Sequence, residues 1–175
     1  MMRAIAAALA LSLSGLPASS FAEEPNSLES SAGNLRILHV WTTDPEGFVR
    51  TWSQPTPPQL EISTQTERNK PIQQFILYAN CTRDDEGMCY LSARVTIAAP
   101  DGTPYGEPMQ FDAFPRGKPV PWGNIGMAPN SIGMVIEDGE QLGTYRVELA
   151  VTDEVSDLTA THVAEIEVAE ASIAE

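Results

Sequence analysis

Cysteine and histidine are nearly absent. The 175 residues contain two of each, and none falls in His-Glu-x-x-His or paired Cys-x-x-Cys spacing, so zinc has no ligand set. No serine sits in a Gly-x-Ser-x-Gly elbow; Ser131, in Asn130-Ser131-Ile132-Gly133, lacks that context, and a hydrolytic triad has no nucleophile. Met88, Met109, Met127 and Met134 form no His-x-Met pair of the kind a copper carrier would use, and Asp84-Asp85-Glu86-Gly87 lacks the alternating acidic spacing of a calcium loop. No cofactor is expected. Basic residues are few as well, ten Lys and Arg against 24 Asp and Glu. Such an acidic balance repels phosphate backbones and anionic headgroups, which excludes nucleic acid as a partner. The acids are spread along the whole chain as a solvated surface, and none stands out as a glycosidase pair. No apolar run reaches the roughly 20 residues of a membrane-spanning helix, so no membrane insertion is expected. A long segment of helical period is missing too.

What is present begins with a short basic start ending at Arg3, an apolar run from Ala4 to Leu13, and Ser20-Phe21-Ala22, a small-x-small pattern. That layout predicts a signal peptide over 1–22 cleaved after Ala22, hence a periplasmic or secreted protein. Residues 23–175 keep nine basic and 24 acidic residues, a formal charge of −15. Residues 23–34 are rich in Glu, Ser, Asn and Gly with one large apolar side chain, Leu28, and read as a flexible acidic leader. In an exported chain, Cys81 and Cys89 read as a disulfide. The polar segment between them is flanked by strand-like runs, so the bridge is expected to staple a neighbouring strand pair.

From Leu35 the pattern becomes short runs of period two separated by Pro, Gly, Asn and Asp, the mark of an all-β sandwich. Gly143–Asp153 is the clearest strand, with Tyr145, Val147, Leu149 and Val151 on one face. Gln74–Asn80, Tyr90–Ala98, His162–Ala169, Leu35–Thr42, Met109–Phe114 and Ile132–Ile136 bring the count to about seven within a single domain, 35–169, followed by a tail over 170–175. Asp101-Gly102 and Asp138-Gly139 supply tight-turn residues. The run Leu142-Gly143-Thr144-Tyr145-Arg146-Val147, then Val151-Thr152-Asp153, with Pro100-Asp101-Gly102 upstream, resembles the last strands of bacterial Ig-like domains over roughly residues 72–169. The resemblance implies an Ig-like β-sandwich with a tyrosine corner at Tyr145. It departs from antibody domains, whose cysteines join opposite sheets.

His39 and His162 lie in phase with apolar neighbours and read as structural. Candidate contact residues fall in expected long Pro/Gly-rich loops, where a rigid sandwich presents its binding groups. They are Trp52, beside Pro55, Pro57 and Pro58, and Trp122, inside Pro115–Pro129 with Arg116 and Lys118. Trp122 has two readings, an exposed anchor for a partner or a cap folded back on the core. The expectation is a non-enzymatic exported module that binds an envelope protein, the alternative being a sandwich that holds a small ligand or carbohydrate with Trp52 and Trp122.

Overall fold

The computed structural model describes residues 28–55 and 57–171. The expected signal peptide, its cleavage point, residues 23–27 of the leader and residues 172–175 of the tail lie outside them. Ten strands and one helix follow in order: β1 Glu29–Ala32, β2 Leu35–Thr42, α1 Pro45–Trp52, β3 Gln65–Glu67, β4 Ile72–Ala79, β5 Cys89–Ala98, β6 Met109–Gly117, β7 Gly126–Met127, β8 Ile132–Met134, β9 Gly143–Asp153 and β10 Leu158–Ala169. The first sheet runs β1-β2-β4, with β7 and β8 each pairing to β4 as halves of one interrupted edge; the second runs β3-β10-β9-β5-β6. Among the described strands only β3 with β10 is parallel. The protein is an all-β, Ig-like sandwich, with all seven expected strands present and short β1, β3 and β7 added.

Alternation builds the core. Tyr145, Val147, Leu149 and Val151 of β9 point inward with Leu91, Ala93 and Val95 of β5 and Ile166 and Val168 of β10, to meet Ile37 and Trp41 of β2 and Ile72, Ile76 and Tyr78 of β4. Each large apolar side chain so buried contributes roughly 1.5–3 kcal/mol. Strand β4 is buried on both faces, because its alternate residues Phe75 and Leu77 join Val40 and Phe48 in a second, smaller core on the outer face of the first sheet.

Helix α1 covers that outer face, where the sequence carried no evident helical period. It has only eight residues, too few to display one, yet its start is well signed: Pro45 opens the first turn, and the Asp44 carboxylate accepts from the Gly47 amide at 2.9 Å. Phe48 stacks on Phe75 with centroids 4.4 Å apart.

Two further expectations are corrected. The leader is not wholly flexible, since Glu29–Ala32 pair antiparallel with Leu35–Leu38. The strand is recruited by backbone hydrogen bonds rather than by apolar burial, through the two-residue turn Gly33-Asn34, with Gly33 at φ 59°. The Arg36–Glu29 ion pair, at 2.6 Å, closes it. The cysteines do form a disulfide, but they do not staple a neighbouring strand pair. Cys81 follows β4 of the first sheet and Cys89 opens β5 of the second, so the bridge ties the two sheets together at one end of the sandwich.

Candidate partner-binding surface

The end of the sandwich that holds the disulfide also carries the β4–β5, β6–β7 and β9–β10 connections, since Cys89 pairs with Gly117 and Leu91 with Asp153. In variable-type Ig domains the connections at one end form the recognition surface. Here β6 extends to Gly117, so Pro115 and Arg116 belong to a strand and the β6–β7 loop is shortened to 118–125.

The loop is a defined object. Asn124 donates its amide to the Pro121 carbonyl at 3.0 Å and Gly123 takes φ 83°, the geometry of a type II turn whose third position demands glycine. Trp122 occupies the second position, on the outside of the bend, and is 60% exposed. Ile125, three residues on, is also exposed, while Pro119 is buried. Of the two readings of Trp122, the core cap is therefore overturned: a residue at that corner of a type II turn is carried away from the chain.

Three ties hold this turn, and the end of β6 that leads into it, to the disulfide loop. The Gly123 amide donates to Asn80 Oδ1 at 2.8 Å, Arg83 Nη2 donates to the Val120 carbonyl at 3.0 Å, and Arg116 grips Asp84 Oδ2 through Nε at 3.0 Å and Nη2 at 2.7 Å. Asn80 sits at φ 59°, a left-handed conformation that asparagine tolerates better than most residues. The Met88 amide, with Arg116 adding to it, holds the Asp84 carboxyl below the usual carboxylate range. A fourth bond secures the loop on its other side: the Thr82 amide donates to the buried Asp153 carboxylate at 2.6 Å, and Asp153 also accepts from Val155 and Ser156 in the β9–β10 turn. Val155 on that turn and Leu158 at the start of β10 are exposed.

Of the residues the sequence singled out, Trp122 is brought together with Arg116 and Lys118. Arg116 faces Asp84 and Glu86, and Lys118 is exposed just after β6. Trp52 is not in a loop. It ends α1 and stacks on Phe48 at 6.4 Å and 4°, so among the described residues the two tryptophans share no cluster or pocket. Asn80, Thr82, Arg83 and Asp153 escaped sequence reading, because their roles are hydrogen bonds across long separations. The one legible signal was Pro121-Trp122-Gly123-Asn124 itself, which carries the glycine of a type II turn.

The two histidines meet inside the sandwich. His39 of β2 and His162 of β10 face each other across the sheets with Nδ1 to Nδ1 at 2.9 Å. Burial, then the neighbouring His162, pushes the His39 pKa down to about 3. Both rings are buried, which suits a structural contact between sheets. Among the described residues no group of three or more His, Cys, Asp and Glu side chains is placed to hold a metal ion.

No protein-family profile matches the chain, and no curated protein matches it. Several solved structures do. A CARDB domain from Pyrococcus furiosus, crystallised with di-metal ions, is 16% identical, with a TM-score of 0.37, over 62% of this chain and 86% of that one. A Niemann-Pick type C2 protein from the Japanese carpenter ant is 11% identical, with a TM-score of 0.36, over 83% of this chain and 98% of that one. A family 123 glycoside hydrolase from Clostridium perfringens is 10% identical, with a TM-score of 0.41, and this chain spans 28% of its length. The likeness is weak and confined to the fold.

Proposed function

We propose that this protein is a non-enzymatic, exported binding module whose disulfide-bearing end engages a protein of the cell envelope, with Trp122 as the anchor. One observation carries the reading: a large aromatic side chain stands 60% exposed on a turn that hydrogen bonds and a disulfide hold rigid. Leaving an indole in water forgoes its burial, and tryptophan is enriched among the few residues that dominate binding energy. A turn already fixed loses little conformational freedom on association, so more of the contact energy appears as affinity. Ile125 extends the apolar contact, and the charges around it, Arg83, Arg116 and Lys118 against Asp84, Asp85 and Glu86, cancel within a chain that is otherwise strongly acidic. A sugar-binding reading through both tryptophans loses support because Trp52 packs, partly buried, on the second core beside Phe48 and shares no cluster with Trp122 among the described residues.

The test is Trp122→Ala in a pull-down from envelope extract beside a melting curve. Loss of the captured partner, corresponding to about 2 kcal/mol or more of binding, with an unchanged thermal midpoint is the expected result. Undiminished capture, or a melting point that falls as for a core residue, would reject the anchor role.

A further inference from the structure

Among the described residues no helix covers the outer face of the second sheet, unlike that of the first, and this face contains an open depression of about 440 Å³. Its shape follows from register. Ala150 of β9 lies between Arg94 of β5 and Thr161 of β10, so a small side chain sits among longer ones and forms the floor. Ser92, Arg94, Gln110, Asp112 and Thr152 form the rim.

The rim sorts donors from acceptors. Tyr90 donates its hydroxyl to Asp112 Oδ1 at 2.6 Å, and Ser92 donates to Glu154, so both carboxylates are held in place with oxygens to spare. Arg94, exposed on the same face, has no ion pair among the described residues although acids outnumber bases by more than two to one. Each simple class of ligand meets an obstacle here. An anion is repelled by Asp112 and Glu154, a metal cation by Arg94, and an apolar molecule, although Ala93, Phe111 and Ala150 also line the depression, would cover Arg94, Gln110 and Asp112 without satisfying them. A ligand that both donates and accepts along its length satisfies every group at once: hydroxyls donate to the carboxylates and accept from the guanidinium and the Gln110 amide.

We infer that this depression is a binding site for a neutral polyhydroxylated ligand, a short saccharide. It is separate in residues from the Trp122 surface, and neither reading depends on the other.

The test is an NMR titration of the disulfide-bonded protein with three uncharged probes, N,N′-diacetylchitobiose, maltotriose and cellotriose, alongside inorganic phosphate. The expected result is saturable amide shifts at Ser92, Arg94, Ala150 and Thr152 with at least one saccharide, weakened about tenfold or more by Arg94→Ala and by Asp112→Asn. Ala150→Arg, which fills the floor on an exposed face, should abolish the shifts while the rest of the spectrum stays native. Absence of a saturable shift with every saccharide would overturn the site. So would shifts that survive Ala150→Arg, that centre on Trp122, or that phosphate alone produces.

Discussion

Tyr145 shows how one atom can hold a fold's geometry. Its ring is buried against Tyr105, with centroids 5.2 Å apart, and its hydroxyl donates to the Gln141 carbonyl four residues back at 2.7 Å, the tyrosine corner that the sequence pattern implied. Burial raises its pKa, so the proton stays available to donate. Tyr145→Phe keeps the ring but strands a carbonyl, and chemical denaturation should register a loss of about 1–2 kcal/mol; an unmoved midpoint would mean the bond contributes nothing. His39 sets a different test. Its pKa is near 3 in the folded protein and near 6.5 unfolded, so the native state favours the neutral ring. The stability this contributes is complete above about pH 6.5 and is lost as pH falls toward 3, because the unfolded chain then binds the extra proton. The slope from this group is roughly 1.4 kcal/mol per pH unit over that window. Carboxylates titrate there as well, so the measurement is a difference: urea midpoints at pH 7, 5 and 4 for the native protein and for His39→Leu. The native protein should lose the more stability between pH 7 and 4, and parallel losses would remove the claim.

Among elements, the β4–β5 connection does the most. It passes from one sheet to the other, closes with the disulfide, and from Asn80, Thr82, Arg83 and Asp84 reaches the two neighbouring turns. Replacing both cysteines with serine should cost about 2–3 kcal/mol on the loop-entropy account. It should also broaden or shift the amide resonances of Gly123 and Asn124 in an NMR spectrum, since the anchor of their turn is loosened. Unchanged Gly123 and Asn124 signals would show that the turn stands without the bridge. The elements also mark how far the sequence could be read. Period-two alternation found β2 and β9 to the residue and β4, β5 and β10 within four residues, because one buried face imposes its pattern on the chain. It did not find β1 or β3, which are held by backbone pairing and bury little, nor α1, which is shorter than a helical pattern needs. The cysteine pairing was legible from the expected export and the even count, but not its span between sheets, which depends on the path that the chain takes after β4.

For the whole molecule, the same division holds. Trp122 could be named from its loop composition, while its exposure rests on a turn type and on bonds 37 and 43 residues distant in sequence. The polar depression over Ala150 was invisible, because it arises from register among β5, β6, β9 and β10 rather than from any motif. The disulfide has one more consequence, and it is mechanical. If the chain is drawn out by its two ends, the backbone between Cys81 and Cys89, eight positions apart in sequence, is bypassed by the bridge and bears no load even after both sheets have come apart. Each molecule therefore hides about 20 Å of contour length that appears only on reduction. Optical-tweezers traces with and without a phosphine reductant should differ by that increment at full extension, and traces of equal length would mean that the covalent short cut between the sheets is not in the path of the force.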